Sequence, residues 1–122
     1  MIITEAVSNA DHIQTEIENL MVWILNNDDN EIVKHEAAFQ IGLNNMRTKI
    51  PDLINSILND KSDHVKHEAI EALGLLRDDG SKEMLTRMLE DKDEAVSEIA
   101  AFVLKGLERL KDRGEHRGDV IL

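Results

Sequence analysis

The chain has no cysteine, one proline, no tyrosine, one tryptophan and two phenylalanines. Without cysteine there is no disulfide framework, zinc ribbon, iron–sulfur cluster or thiol nucleophile. The same lack fits a reducing cytoplasm, which is the expected compartment. Few aromatics and no β-branched alternation remove the usual strand signals. Positive charge is scarce too, and the formal net charge is −11. Phosphate backbones and anionic lipids call for a basic surface, so neither nucleic acid nor membrane is an expected partner. Even an apolar run as long as any in the chain, Leu20 to Leu25, is too short to span a bilayer. Glu5, Asp11 and Glu16 interrupt any signal-peptide pattern at the N-terminus.

What is present is a repeat. Lys34-His35-Glu36-Ala37 returns, shifted by 32 residues (35 to 67), as Lys66-His67-Glu68-Ala69, with Gly42 and Gly74 at the same distance beyond. A period of that length means stacked helical hairpins. Three units superpose. Their first helices carry Leu20, Met21, Ile24, Leu25; Leu53, Ile54, Ile57, Leu58; and Met84, Leu85, Met88, Leu89, each quartet forming one stripe. Their second helices carry Val33, Ala37, Ile41; Val65, Ala69, Leu73; and Val96, Ala100, Leu104, an i, i+4, i+8 ridge. The Asn, Asp and Ser residues of the intervening turns suit helix caps. Gly42 and Gly74 suit the close passage of the next helix. The expected fold is all-α, an α-α superhelix of about three hairpins. Helices are expected near 12–26, 31–46, 50–59, 63–77, 82–90 and 93–111. The repeat domain covers 1–112, with units near 12–46, 50–77 and 82–111. Residues 113–122 lack periodicity and read as a mobile tail. Its Arg117-Gly118-Asp119 is a chance match to an adhesion tripeptide.

A helix turns about 100° per residue. With Val33 at zero, Ala37 and Ile41 fall within about 80° of it, whereas His35 falls near 200° and Glu36 near 300°. Both His-Glu pairs are therefore expected outside the buried ridge, in register, facing the groove lined by the second helices. Neighbouring helices lie about 8–10 Å apart, close enough for imidazoles from two of them to share an ion. His35, Glu36, His67 and Glu68 together offer ligands suited to iron, manganese or zinc. The pattern is not the helical zinc-protease motif, because Phe39 and Glu71 stand where a second His would be needed. A plain reading competes: His and Glu on an exposed helix face are ordinary solvated residues, copied with the unit. His64 reads as a surface residue at a helix start, and Glu71 as a hydrogen-bond partner of His67.

The pattern D-x-x-x-x-V-x-x-x-A-x-x-x-[IL]-G, present twice, resembles HEAT-like repeats of the phycobilin-lyase type over roughly 12–111. The segments His35-Glu36-Ala37 to Gly42 and His67-Glu68-Ala69 to Gly74 resemble deoxyhypusine hydroxylase more closely. That resemblance implies a non-haem di-iron centre with His35, Glu36, His67 and Glu68 as ligands, and oxygen-dependent oxidase or hydroxylase-like chemistry. The family has four His-Glu pairs in two halves of one chain. Two pairs here correspond to one half, which a homodimer would complete around a shared groove. The acidic groove would receive a cationic lysine or amine side chain. The alternative is a metal-free adaptor that binds a protein or peptide in its concave groove.

Overall fold

The computed structural model describes residues 2–112, with side chains from residue 8 onward. Six α-helices follow in order: α1 (Ile2–Asn27), α2 (Glu31–Leu43), α3 (Ile50–Asn59), α4 (Asp63–Leu75), α5 (Lys82–Met88) and α6 (Glu94–Asp112). Short 3-10 turns, Arg47–Lys49 and Asp79–Ser81, lead into α3 and α5. There is no strand among the described residues, so the all-α expectation holds.

The turns stop and restart helices where their chemistry dictates. Asn30 accepts from the backbone N–H of Ile32 and Val33, Ser62 from that of Val65, and Asp93 from that of Val96. Each satisfies a donor that the first helical turn leaves orphaned. Pro51 sits in the first turn of α3, where its missing N–H costs nothing. The second helices of the first two units end alike. Asn45 and Arg77 adopt left-handed φ values of 54° and 53°. Behind them, the N–H of Met46 donates to Ile41 and that of Asp78 to Leu73, a Schellman closure.

Three helix ends depart most from expectation. α1 begins near residue 2, where position 12 was expected, because the helical residues preceding the first apolar quartet carry no breaker. α2 and α4 end at residues 43 and 75, short of 46 and 77, because the left-handed residues close them. The stretch 113–122, read as a mobile tail, lies outside the described residues.

Each first helix packs on its own second helix, and α2, α4 and α6 pack side by side. α1 and α3 touch only slightly. The first helices thus splay while the second helices stay close, which makes α2–α4–α6 the inner face. The core between the layers is Leu25, Leu53, Ile57 and Leu85 from the first helices, and Ala37, Ile41, Val65, Ala69, Leu73, Val96 and Ala100 from the second. Small residues bring the inner helices together: a Cβ at Gly42 would lie 2.8 Å from the Ala72 Cα, and one at Gly74 would lie 3.1 Å from a Val103 methyl.

The ridge is not buried evenly. Val65 and Val96 are fully buried, but Val33 is 39% exposed. Leu20 is likewise 52% exposed where Leu53 of the second unit is fully buried. The core-side position occupied by Val33 is therefore buried in the second and third units but not in the first, over which no hairpin packs among the described residues.

Candidate metal centre

The repeated Lys-His-Glu-Ala divides its labour between repeats. Ala37 and Ala69 are core residues. The lysines reach forward to an acid in the next turn: Lys34 Nζ is 3.0 Å from Asp60 Oδ2, and Lys66 Nζ is 4.0 Å from Asp91 Oδ2. The histidine also reaches forward. His35 Nε2 lies 2.8 Å from Glu68 Oε2, joining α2 to α4. The pair in contact is therefore His35 with Glu68 of the following unit, not His35 with its own neighbour.

The single repeat offset explains why this contact occurs once. Applied to α6, the register that puts Val96 on Val65 and Ala100 on Ala69 puts Ile99 on Glu68. In that register His67 has no carboxylate ahead of it, and no unit lies behind Glu36 among the described residues. Glu36 is exposed and accepts from Gln40 Nε2 at 2.9 Å along its own helix.

Glu68 departs from the expectation that both His-Glu pairs lie outside the core. Its side chain is only 6% exposed. Where Glu36 faces open solvent, Glu68 is covered by α2. Its Oε2 takes the His35 contact, and its Oε1 has no hydrogen-bond partner among the described residues. An ionised oxygen in that position is costly to leave bare.

Three imidazoles and a second carboxylate surround Glu68. His64 stacks its ring on that of His35, with centroids 4.4 Å apart and planes 19° from parallel. His67 Nδ1 is 3.6 Å from Glu71 Oε1, one turn on, an ion-pair separation longer than a hydrogen bond. One ligand atom each from His67, Glu68 and Glu71 lies within 4.8 Å of the others. Burial pushes the Glu68 carboxyl above its ordinary range. His35 pulls it down, Glu71 pushes it up, and His67 and His64 pull it down. A cation beside Oε1 would relieve both the desolvation and the Glu71 repulsion.

Of the four residues expected from sequence, His35, His67 and Glu68 converge and Glu36 does not. Glu71 and His64 join the cluster. Both were visible in the sequence as near neighbours of His67, but only the packing of α2 against α4 gave them a common target.

An apolar groove of about 510 Å³ adjoins the cluster along α4 and α6. Phe39, Leu75, Ile99, Phe102 and Leu107 line it, and Glu71 lies on its wall. No described helix is long and apolar enough to cross a membrane.

Comparison with known proteins adds a family, two relatives and a solved structure. A family model described as HEAT repeats matches residues 18–105. Deoxyhypusine hydroxylase of Gallus gallus is 35% identical over 92 residues, covering 75% of this chain and 31% of that protein. That of Neurospora crassa is 40% identical over 79 residues, covering 63% and 24%. The solved structure of human deoxyhypusine hydroxylase in complex with glycerol superposes with a TM-score of 0.73 at 28% identity, over 85% of this chain and 39% of that one. The chain spans about a third or less of the length of the two relatives it matches. Repeat period, helix stacking and sequence likeness converge: the chain belongs to the HEAT-repeat family and is related within it to deoxyhypusine hydroxylase.

Proposed function

We propose that this chain is a metal-binding HEAT-repeat protein that holds iron at the Glu68 cluster and contributes half of a hydroxylase-like centre, completed by a second copy. The observation that carries the reading is the buried Glu68 carboxylate, with one oxygen on His35 and the other unpartnered among imidazoles and Glu71. Mixed imidazole and carboxylate donors suit iron or manganese. Relatedness to deoxyhypusine hydroxylase favours an oxygen-dependent hydroxylation or oxidation.

Bound iron would supply oxygen activation. The chain's own part is positional. Glu68 offers a buried anionic oxygen, and His67 and Glu71 offer donors one turn apart on the same helix face. His35 orients Glu68 across the helix interface, as a ligand or as the partner that fixes a ligand. Glu36, exposed on the same helix as His35, is the residue left to meet a second copy. The acid-rich inner face would draw a cationic side chain or amine.

The apolar groove supports a second reading. A metal-free adaptor would seat apolar side chains of a peptide between Phe39, Leu75 and Phe102.

Elemental analysis after anaerobic loading with ferrous iron, paired with mass in solution, tests the first reading. Iron should bind the native chain, and Glu68→Gln should abolish uptake at unchanged helicity. Failure of the native chain to retain iron would leave the adaptor reading.

A further inference from the structure

We infer that the apolar groove between α4 and α6 docks a polypeptide segment, which presents a basic side chain to Glu71 and apolar side chains to Phe39, Leu75 and Phe102. This deepens the cationic-ligand part of the proposed function and rests on it, but it requires no metal.

The register of the inner helices places the recognition residues. Ala37, Ala69 and Ala100 are equivalent buried positions of α2, α4 and α6. Two residues beyond each stand Phe39, Glu71 and Phe102. α4 packs against both α2 and α6, so the carboxylate has an aromatic residue on the helix to either side. All three line one groove of about 510 Å³. The rest of its lining is glycine and aliphatic, which leaves Glu71 as its single ionisable residue among those described.

A second row explains why a groove opens there. Six residues beyond the same alanines stand Leu43, Leu75 and Gly106. Leu43 and Leu75 are 57% and 55% exposed, so this row faces outward. Gly106 lines the groove, where a leucine like the other two would fill it. A Cβ built at Gly106 meets nothing within 4 Å, whereas one at Gly42 or Gly74 meets the neighbouring helix. Glycine is a poor helix former. At Gly42 and Gly74 close helix packing offsets that cost. At Gly106 no contact within the chain does, and the space left open is space for a ligand.

Charge selects what enters. The Glu71 side chain is 41% exposed, and its contact with His67 Nδ1, at 3.6 Å, is longer than a hydrogen bond. A wholly apolar segment laid over the groove would strip water from this carboxylate and supply no counter-charge. An anionic segment would be repelled by Glu71 and by a chain of net charge −11. A cation on an aliphatic stem meets both demands. Its charge faces the carboxylate and the aromatic rings, and its stem lies along the apolar walls. One stem does not cover the surface, because Phe102 is 66% exposed at the rim beside Leu75. Apolar neighbours of the basic residue, as a polypeptide carries them, would cover it. Glu71 also belongs to the cluster with His67 and Glu68, so the docked basic side chain lies beside the candidate metal centre.

The test is an NMR titration of the metal-free chain with the capped tripeptides Leu-Lys-Leu, Leu-Arg-Leu and Leu-Gln-Leu, and with butylammonium. The two basic tripeptides should shift the amide signals of Phe39, Gly74 and Gly106 and bind about 3–10-fold tighter than the glutamine tripeptide. Glu71→Gln should erase that preference. Gly106→Leu, which fills the groove, should abolish binding of all three at unchanged helicity by circular dichroism. If that variant does not fold, Phe102→Ala replaces it and should weaken all three. Equal binding of the glutamine tripeptide, or a preference that survives Glu71→Gln, overturns the recognition of a basic side chain. Butylammonium binding as tightly as Leu-Lys-Leu overturns the polypeptide source. A lysine preference with shifts on another face, or one indifferent to Gly106→Leu, overturns this groove and leaves the cationic-ligand reading standing. Iron uptake, measured separately on the native chain, reports on the metal reading alone.

Discussion

His35 on α2 and Glu68 on α4 meet at 2.8 Å across the interface between two repeats, and in the next repeat the residue in register with Glu68 is Ile99. A duplicated motif therefore produces one cross-repeat contact, not two. Its two ends have different surroundings. Glu68 is buried and Glu36, its counterpart, is exposed.

Replacing Glu68 by Leu should separate stability from ligation. Glu68 buries an oxygen with no hydrogen-bond partner, and the His35 ring it would leave behind is 30% exposed to water, so an apolar side chain of similar size removes a desolvation cost without burying an unpaired charge. Glu68→Leu should melt within a few degrees of the native protein or above it, yet lose iron. His35→Ala should weaken iron binding about 10–100-fold while helicity stays unchanged. Calorimetric melting and iron titration check both, and an iron affinity indifferent to either change would dismiss the site.

Acidity should act on Glu68 in a definite direction. Burial raises its pKa above 4.5 in the folded chain. Its contribution to metal-free stability is therefore whole below pH 4.5 and is lost as pH rises through the folded value. Iron uptake runs the other way, because the ligand must be a carboxylate. Glu68→Gln should flatten this part of the stability profile. Melting temperature against pH for metal-free native and variant chains is the measurement.

Glu18 behaves oppositely. Hydrogen bonds from Thr48 and Gln14 hold its carboxyl below 4.5, so its contribution is present above pH 4.5 and is lost as pH falls through the folded value. The group is near the surface, and the effect of Thr48→Ala should be small. Acid titration of both proteins, followed by circular dichroism, should show the variant slightly less stable above pH 4.5 and the difference closing as pH falls.

Three glycines should respond to alanine in a fixed order. At Gly42 the new methyl meets the Ala72 backbone at 2.8 Å, so α2 and α4 must separate, at a cost of about 1–3 kcal/mol. At Gly74 it meets only a Val103 methyl at 3.1 Å, and the loss should be smaller. Nothing lies within 4 Å at Gly106, inside α6. Gly106→Ala should stabilise by about 0.5–1 kcal/mol. Denaturant midpoints of the three variants give the order directly.

The lysine rungs should also rank. Lys34 is 3.0 Å from Asp60, whose side chain is nearly buried, whereas Lys66 stands 4.0 Å from Asp91. Lys34→Ala strands a nearly buried carboxylate and should cost about 1–3 kcal/mol. Lys66→Ala should cost less. Chemical denaturation of the two single variants distinguishes them.

The sequence by itself determined the helical repeat, the turn caps and the close-packed glycines. Val65, Ala69, Leu73 and Gly74 repeat a local pattern, and local patterns follow from the 3.6-residue turn and from cap chemistry. It also named His35, His67 and Glu68 as a chemical cluster. It could not say that His35 belongs with Glu68 rather than with Glu36. That depended on how α2 lies against α4, a displacement of about one helix diameter that no spacing along one helix encodes. Burial of Glu68 and exposure of Glu36 came from the same source, because identical residues in identical units differ only in whether a neighbouring hairpin covers them. Tertiary structure likewise decided that Leu20 and Val33, core-like in pattern, lie open while their counterparts Leu53 and Val65 are covered, since among the described residues a hairpin packs ahead of the second unit and none ahead of the first.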